Sequence, residues 1–453
     1  MKQRNKQREQ DPIIRGKNFK EVSLGFDEKT ALIEAGRCIQ CKNPPCVKGC
    51  PVEINIPLFI YHLRRQEYDL SAKVLKEANV LPAVCGRVCP QETQCEEKCV
   101  LGRRGEPVAI GGLEKFVGDY AVKNPIPVKE IKKVDKKVAV IGSGPAGLAC
   151  AADCAAAGLS VTIFEAFHEA GGVLTYGIPE FRLPISIVKN EIEQLKKMGV
   201  EIELNVVIGK TIFIEELLSE YDSVFIGTGA GLPVFMNIEG ENLPGVYSAN
   251  EYLTRVNLMG AYKKEMATPI IIGKRVVVVG AGNVAMDSAR TALRLGAEKV
   301  SIVYRRSKAE MPARVEEIHH AEEEGIEMLL LTNPVEILGK EKVKGMILQK
   351  MELAEPDDSG RRRPVPIANS EYEIECDQVI MAIGTNPNPL LTDSCKELKK
   401  NKWGMLIVNE SLETSIPNVY AGGDVISGSA TVILAMGAGR QAAKEITKKL
   451  KND

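Results

Sequence analysis

No run of 18 consecutive apolar residues occurs in this 453-residue chain, so a membrane-spanning helix is not expected. The first ten residues, MKQRNKQREQ, lack the apolar core of a secretory leader, and the expected location is the cytoplasm. Net charge is nearly absent as well. The 59 Lys and Arg against 60 Asp and Glu leave −1, so no long-range field draws the chain to nucleic acid or to an acidic membrane. The charge runs that do occur are local: 129–137 reads as a linker and 361–363, three arginines, as the polar tip of a hairpin. Histidine is scarce, with only His62, His168, His319 and His320, and the last pair lies in an acidic stretch that reads as a solvated helix face. Acid–base catalysis by side chains is not expected, and no catalytic residue is assigned.

What the chain does have is cysteine in one place. Eight of its twelve cysteines form two tandem groups, Cys38-x2-Cys41-x4-Cys46-x3-Cys50-Pro51 and Cys85-x3-Cys89-x5-Cys95-x3-Cys99. Disulfides do not suit a reducing compartment. Structural zinc favours paired knuckles, which the gaps of the second group fit poorly. The first group resembles the bacterial ferredoxin run, in which the fourth cysteine serves a neighbouring cluster, and iron-sulfur clusters are the reading that remains. Cys150, Cys154, Cys376 and Cys395 are scattered and read as small core residues.

The length leaves room for about three domains, and the 40 glycines sit beside apolar strands. A short strand, 136–141, runs into Gly142-Ser143-Gly144-Pro145-Ala146-Gly147, then a helix to about Ala157, then a strand 160–164 that ends at Glu165. Glycines there permit a tight turn, close approach of a pyrophosphate and close helix packing, while the helix N-terminus supplies positive partial charge. Glu165 is placed to accept hydrogen bonds from ribose hydroxyls. The pattern recurs: strand 275–279, turn Gly280-Ala281-Gly282-Asn283-Val284-Ala285, helix 286–295 and strand 299–304. The second strand ends not in an acid but in Arg305-Arg306, which points to the 2′-phosphate of NADP(H).

Near the C-terminus, Val419 to Gly423 leads to Asp424, and Ser429-Ala430-Thr431-Val432 opens a small-residue helix through Gly437 and Arg440. This resembles the terminal FAD-binding segment of pyridine-nucleotide-disulfide-reductase-like flavoproteins. The resemblance implies that Asp424 holds the ribityl chain and that the helix start, at Thr431 and Val432, faces the flavin. The stretches ending in Gly227-Thr228-Gly229 and Ile383-Gly384-Thr385 resemble the passages between the FAD and NADP folds of that superfamily. The expected fold class is α/β, a helical iron-sulfur domain followed by two nested Rossmann-like FAD and NADP domains. Its expected boundaries are 1–125 for the clusters, 126–255 and 375–453 for FAD, and 256–374 for NADP, with a connector over 121–137.

In this order the parts resemble the small (β) subunit of NADPH-dependent glutamate synthase and its relatives. These include the large subunit of NADH-dependent ferredoxin:NADP oxidoreductase, the sulfide dehydrogenase flavoprotein and the N-terminal part of dihydropyrimidine dehydrogenase. The most specific stretches are 81–99 (LPAVCGRVCPQETQCEEKC), 171–184 (GGVLTYGIPEFRLP) and 304–317 (YRRSKAEMPARVEE). The resemblance implies FAD, NADP(H) and two 4Fe-4S clusters with crossed ligation: Cys38, Cys41, Cys46 and Cys99 on one, Cys50, Cys89 and Cys95 on the other. The eighth ligand is Glu114 by resemblance, or Cys85 in an all-cysteine site. Gly172, Tyr176, Gly177, Ile178, Pro179 and Arg182 are expected along the flavin. An electron-accepting partner is implied, either a glutamate synthase large subunit or a small NAD-binding flavoprotein with ferredoxin, and the stretch 435–439 looks closer to the second type. A cluster-bearing scaffold without turnover of its own is the remaining alternative, and the intact glycine turns and Asp424 argue against it.

Overall fold

The structure is a computed structural model that describes residues 3–125, 131–356 and 360–452. The middle of the expected connector, 126–130 with Pro127, and the residues 357–359 before the arginine run lie outside the described residues.

The N-terminal body is helical, and the spacing of its apolar residues explains how its helices bury one face. In the helix Ile56–Arg64, Ile56, Phe59, Ile60 and Leu63 recur at helical spacing and are buried, and the Asn55 side chain accepts the Leu58 N–H at 3.3 Å as the cap. Helices Pro82–Val88 and Ile110–Lys123 cross at unusually short range. A Cβ on Gly86 would lie 2.4 Å from the Lys115 nitrogen, and one on Gly118 would lie 2.7 Å from Ala83 Cα. Each glycine costs its helix about 1 kcal/mol relative to alanine. The close crossing offsets that cost and carries Glu114 inward over the helix that holds Cys85.

Two five-stranded parallel sheets follow. In the first the order is Val419–Ala421, Ser223–Ile226, Lys137–Ile141, Ser160–Phe164, Val200–Glu203. In the second it is Glu327–Leu330, Lys299–Tyr304, Arg275–Val279, Gln378–Met381, Val246–Ser248. The central strands are buried on both faces, as parallel sheets covered by helices require. The expected domain limits need correction here. Val246–Ser248 and Gln378–Met381 were assigned to the FAD fold, yet Val379 pairs with both Val246 and Val277, inside the second sheet. Strands buried on both faces are apolar throughout, so nothing in their sequence says which sheet receives them. The passages between the folds do run side by side: Leu232–Pro233 pairs antiparallel with Thr385–Asn386. A third sheet, Thr332–Gly339, Val343–Pro356 and Arg362–Glu375, is an antiparallel meander on the second fold.

The cluster body and the first dinucleotide fold share a core. Leu81, Val84, Cys85 and Cys89 pack in one cluster with Val138, Leu148 and Met436 of the first dinucleotide fold. Arg440, on the C-terminal helix Val432–Asn452, binds Asp153 at 2.8 Å and donates to the Glu77 and Ala78 carbonyls at the end of helix Tyr68–Ala78. His320 departs from the expected solvated face: it is buried, and its Nε2 lies 3.1 Å from Glu9 of an N-terminal arm that packs across its helix. His319 alone stays exposed, beside Glu323.

The helix crossing yields a test. Gly118→Ala drives a methyl against Ala83 and is expected to cost about 1–3 kcal/mol. The check is a lowered melting temperature with loss of iron from the purified protein.

Candidate functional site

The three glycines of the first turn do three different jobs. Gly142 has φ +95°, and a Cβ there would also lie 2.7 Å from the Gly227 carbonyl oxygen. At Gly147 a Cβ would lie 1.9 Å from the Gly142 oxygen, so this glycine lets the helix Pro145–Ala156 close on the strand. Gly144 is different: its φ is −68°, and a Cβ would meet nothing within 4 Å. The fold does not need glycine there, and the open space in front of the helix N-terminus is what a pyrophosphate requires. The second turn repeats this. Gly280 has φ +126° and would collide with the Ala382 oxygen, whereas Gly282, at φ −83°, would meet only Pro312 at 3.9 Å. Asn283 accepts the Arg314 N–H at 3.0 Å, Ala285 is fully buried under the turn, and Val284 is exposed at the mouth.

Around the first turn the expected acids converge. The Glu165 carboxylate accepts the Ser143 N–H and the Phe167 N–H, each at 2.9 Å, and also the Ser143 hydroxyl, which pins it at the turn. Asp424 follows Gly423, whose φ is +78°. Burial pushes its carboxyl up to about 6, against a single backbone N–H from Ala430 at 3.2 Å. A half-buried acid with one donor suits a polyol that brings its own hydroxyl donors. Burial raises the Tyr176 hydroxyl to about 12, with the charges of Asp424 and Glu165 adding to the rise. Gly172, at φ +55°, brings its backbone against Gly144. Gly229 and Gly384, both at positive φ, face open space. Thr431 caps the C-terminal helix by accepting the Leu434 N–H at 3.3 Å, and Val432 is its first residue.

Two arginines are not where the sequence suggested. Arg182 does not present its guanidinium to a flavin site: Nη1 donates to both Asp287 oxygens at 2.9 and 2.7 Å, and Nε lies 3.0 Å from Glu317. Its loop is apolar, and a buried arginine must find carboxylates, which the helix Asn283–Leu295 of the second fold supplies. Of the pair at the end of strand Lys299–Tyr304, Arg305 is exposed, but Arg306 is buried and donates Nε to the Arg362 carbonyl at 2.7 Å. Arg306 therefore holds the meander, not the solvent side of the strand end. Sequence reading missed that Arg362 reaches back to the same place, with Nε 2.7 Å from Glu310, which in turn caps Ser307. Its position in a basic run gave no sign of this contact.

The thiols fall into two sets. Cys46 is pushed up to about 12 by burial and by the neighbouring Cys99, Cys38 and Cys41. Cys50 is pushed up to about 11 by burial, with Glu114 and Cys89 beside it, and Cys95 is raised by burial, Glu96, Glu114, Cys89 and Cys50. Cys99 thus sits with the first group and Cys50 with the second. Thiols and a carboxylate crowded this way repel one another as anions, an effect only partly offset by Arg64 near Cys38 and Arg314 near Cys89, and this is the donor chemistry that cluster iron satisfies. Both candidates for the eighth ligand are in place. Glu114 is buried, accepts the Asn79 amide at 2.7 Å and is raised to about 8 by desolvation. Cys85 lies 3.7 Å from the Asn79 oxygen and 3.6 Å from the Met436 sulfur, on the side of the C-terminal helix. The second set is buried, the first half-exposed. A Cβ on Gly437 would lie 3.2 Å from the Pro51 oxygen, so the buried set abuts the first turns of the C-terminal helix.

Comparison with known proteins agrees with this arrangement. Residues 136–442 match the pyridine nucleotide-disulphide oxidoreductase family, and residues 15–126 match dihydropyrimidine dehydrogenase domain II, 4Fe-4S cluster. The chain is 37% identical to the glutamate synthase [NADPH] small chain of Escherichia coli over 96% of its own length and 94% of the relative's. It is 41% identical to the NADP(+)-dependent formate dehydrogenase subunit beta of Moorella thermoacetica over 90% of its length, and spans 60% of that longer protein. Among solved structures, FprA of Mycobacterium tuberculosis in complex with NADPH superposes with a TM-score of 0.59 at 22% identity, covering 70% of this chain and 85% of that one. That likeness concerns the fold alone.

The open glycines separate folding from binding. Gly144→Ala is expected to leave the apoprotein's melting temperature unchanged and to weaken FAD on the order of tenfold, about 1.4 kcal/mol, read from flavin content after gel filtration. Gly282→Ala should keep FAD and lose NADPH affinity by a similar factor. The two arginines should separate likewise. Loss of a charged hydrogen bond costs about 1.5–3 kcal/mol, so Arg305→Ala should raise the Kd for NADPH more than about tenfold with NADH unchanged. Arg306→Ala should chiefly lower thermal stability.

Proposed function

The chain belongs to the pyridine nucleotide-disulphide oxidoreductase family, with a 4Fe-4S domain ahead of it, and on that premise we propose that it is the electron-transferring subunit of an NADPH-dependent iron-sulfur flavoprotein of the glutamate synthase small-chain type. The observation that supports this most is the seam at Pro51, Met436 and Gly437, where the buried thiol set lies against the helix whose start, beside Asp424, would face a flavin.

Bound FAD and two 4Fe-4S clusters would supply the conversion of a hydride from NADPH into single electrons. The chain's own residues bind and position. The backbones at Gly144 and Gly282 admit the two pyrophosphates, Glu165 takes a ribose, Arg305 takes the 2′-phosphate, and Asp424 takes the ribityl hydroxyls. The N-terminus of helix Val432–Asn452 would direct positive partial charge at a bound flavin. No acid or base is needed from the protein. Cys38, Cys41, Cys46 and Cys99 hold one cluster, and Cys50, Cys89, Cys95 and Glu114 hold the other. Cys85 lies against Met436 and would stay a thiol beside the second cluster. Relatives named as small or beta subunits support a role as one subunit of a larger enzyme, with a glutamate synthase large subunit as the acceptor. The alternative acceptor, a small NAD-binding flavoprotein with ferredoxin, uses the same path.

Anaerobic addition of NADPH should bleach the flavin band and develop a reduced-cluster EPR signal in a protein with about eight irons per chain, the sum for two 4Fe-4S clusters. Absence of flavin bleaching would refute the reading. Iron counting on two variants tests the ligand assignment: Glu114→Ala should lose about half the iron and Cys85→Ser nearly none, and the reverse pattern would give the site to Cys85. Co-purification of the native protein identifies the partner.

A further inference from the structure

Consecutive residues of the second dinucleotide fold bridge its glycine turn and the buried thiol set. Ala313 donates its N–H to the Ala281 carbonyl at 3.3 Å, and Arg314 donates its own to the Asn283 side-chain oxygen at 3.0 Å, so both are fixed on the turn. The Arg314 side chain then crosses to the cluster body. Nη1 donates to the Arg87 carbonyl at 2.7 Å and Nη2 to the Gln91 amide oxygen at 3.0 Å, two residues to either side of Cys89. Val315 completes the bridge with its N–H on Glu92 at 3.0 Å. Gln91 in turn reaches the rest of the set: its Nε2 donates to the Cys85 carbonyl at 3.4 Å, and a Cβ on Gly111, in the helix of Glu114, would lie 2.3 Å from the same nitrogen. The charge that Arg314 brings is only partly matched. It is buried, its Nε has no hydrogen-bond partner among the described residues and lies 3.8 Å from Glu92, and Glu316, 2.7 Å from Nη2, is half-exposed. The Arg87 carbonyl and the Gln91 amide are neutral. Cys89 is held well above the ordinary thiol range by its contact with Cys85 and by burial; Glu114 adds to the rise and Arg314 acts against it.

We propose that Arg314 sets the redox poise of the buried cluster from the second dinucleotide fold: its cation favours the reduced set, and the glycine turn that would receive the nucleotide holds that cation in place. This rests on the cluster assignment above and adds the residue that tunes it. One electron arriving on the buried set adds one negative charge in a setting of low dielectric, where a cation acts far more strongly than it does in water. Charge beside a cluster is one of the levers that fix its potential. Glu316 opposes the effect, because it neutralises part of the same cation. Arg314 is thus a positioning residue whose charge belongs to one fold and whose effect is felt in another.

The test is an EPR-monitored redox titration of the holoprotein, with europium(II) chelates as reductant and no nucleotide present. In Arg314→Gln the ratio of reduced to oxidised buried cluster at a fixed potential should fall about tenfold, a shift of about 59 mV to lower potential for one electron. Glu316→Gln should shift it to higher potential, and Arg314→Lys, which keeps the charge, should stay near the wild type. The half-exposed cluster is the internal reference and should move little in all three. Loosened packing alone does not move a potential in opposite directions for two neighbouring substitutions. Unchanged potentials in Arg314→Gln and Glu316→Gln, or shifts of the same sign in both, would overturn the proposal. If Arg314→Gln loses its iron, Glu316→Gln decides: a raised potential supports the proposal, and an unchanged or lowered one sinks it. Wild-type protein with only about four irons per chain, the content of one 4Fe-4S cluster, would instead refute the cluster assignment itself, and the two failures are thereby distinct.

Discussion

The way the three bodies pack together depends on burying charge without stranding it. Three bodies meet around a network in which Arg15 of the N-terminal arm, Arg182 of the loop after the first dinucleotide turn, and Arg290 and Arg294 of the second fold face Glu317 and Glu324. Burial alone would push both acids up. Arg182 and Arg290 around Glu317, and Arg294 and Arg290 around Glu324, hold each at about 2 instead. Phe181 lies under Arg290 and Arg294, with its ring centre 4.8 and 3.9 Å from their guanidinium carbons. Such pairs add little net stability compared with apolar packing, but removing one partner costs about 3–5 kcal/mol. The network therefore fixes how the two dinucleotide folds sit against each other more than it deepens the fold's stability.

The acids at the cofactor sites obey the opposite rule. Glu114, raised to about 8, has one amide donor, and Asp424, raised to about 6, has one backbone N–H. Neither meets an arginine. Burial without a countercharge is unstable in an empty protein and reasonable where a metal cluster or a polyol completes the shell. Elevation occurs at other buried acids as well. Glu191 rises to about 7 with only the Ala83 N–H as donor, at a helix seam, and Asp287 rises to about 6 despite its bidentate arginine. An elevated acid marks a site only where other groups converge on it, as Cys50, Cys89 and Cys95 do on Glu114, and Tyr176 does on Asp424.

Local chemistry was legible in the sequence because local rules govern it. The strands 160–164, 275–279 and 299–304 have the bounds that their apolar runs and flanking glycines indicate, and both glycine turns take the backbone conformations their residues demand. Less visible was anything decided by what packs across a gap. Val246–Ser248 and Gln378–Met381 are apolar enough for either sheet, and only their pairing with Arg275–Val279 and with each other places them. The contacts of Arg182, Arg306 and His320 share one cause: each is a polar side chain whose partner is distant in sequence, from another domain for Arg182 and His320 and from the meander of the same fold for Arg306. Periodicity and motif spacing contain no information about that partner. The meander that recruits Arg306 through the Arg362 carbonyl is such a case, since its basic tip looks in sequence like an ordinary solvated turn.

The same reasoning explains why the cluster domain cannot be treated as a separate module. Cys85 and Cys89 share a core with Met436 and Leu148, and Arg440 spans from Asp153 to the last carbonyls of helix Tyr68–Ala78. On the other side, Arg314 of the second fold donates to the Arg87 carbonyl at 2.7 Å and to Gln91 at 3.0 Å, beside the helix that carries Cys85. The buried thiol set is thus gripped by both dinucleotide folds at once, while the half-exposed set is left to the surface. The folds' mutual packing, not any single motif, makes one thiol set buried and leaves the other half-exposed.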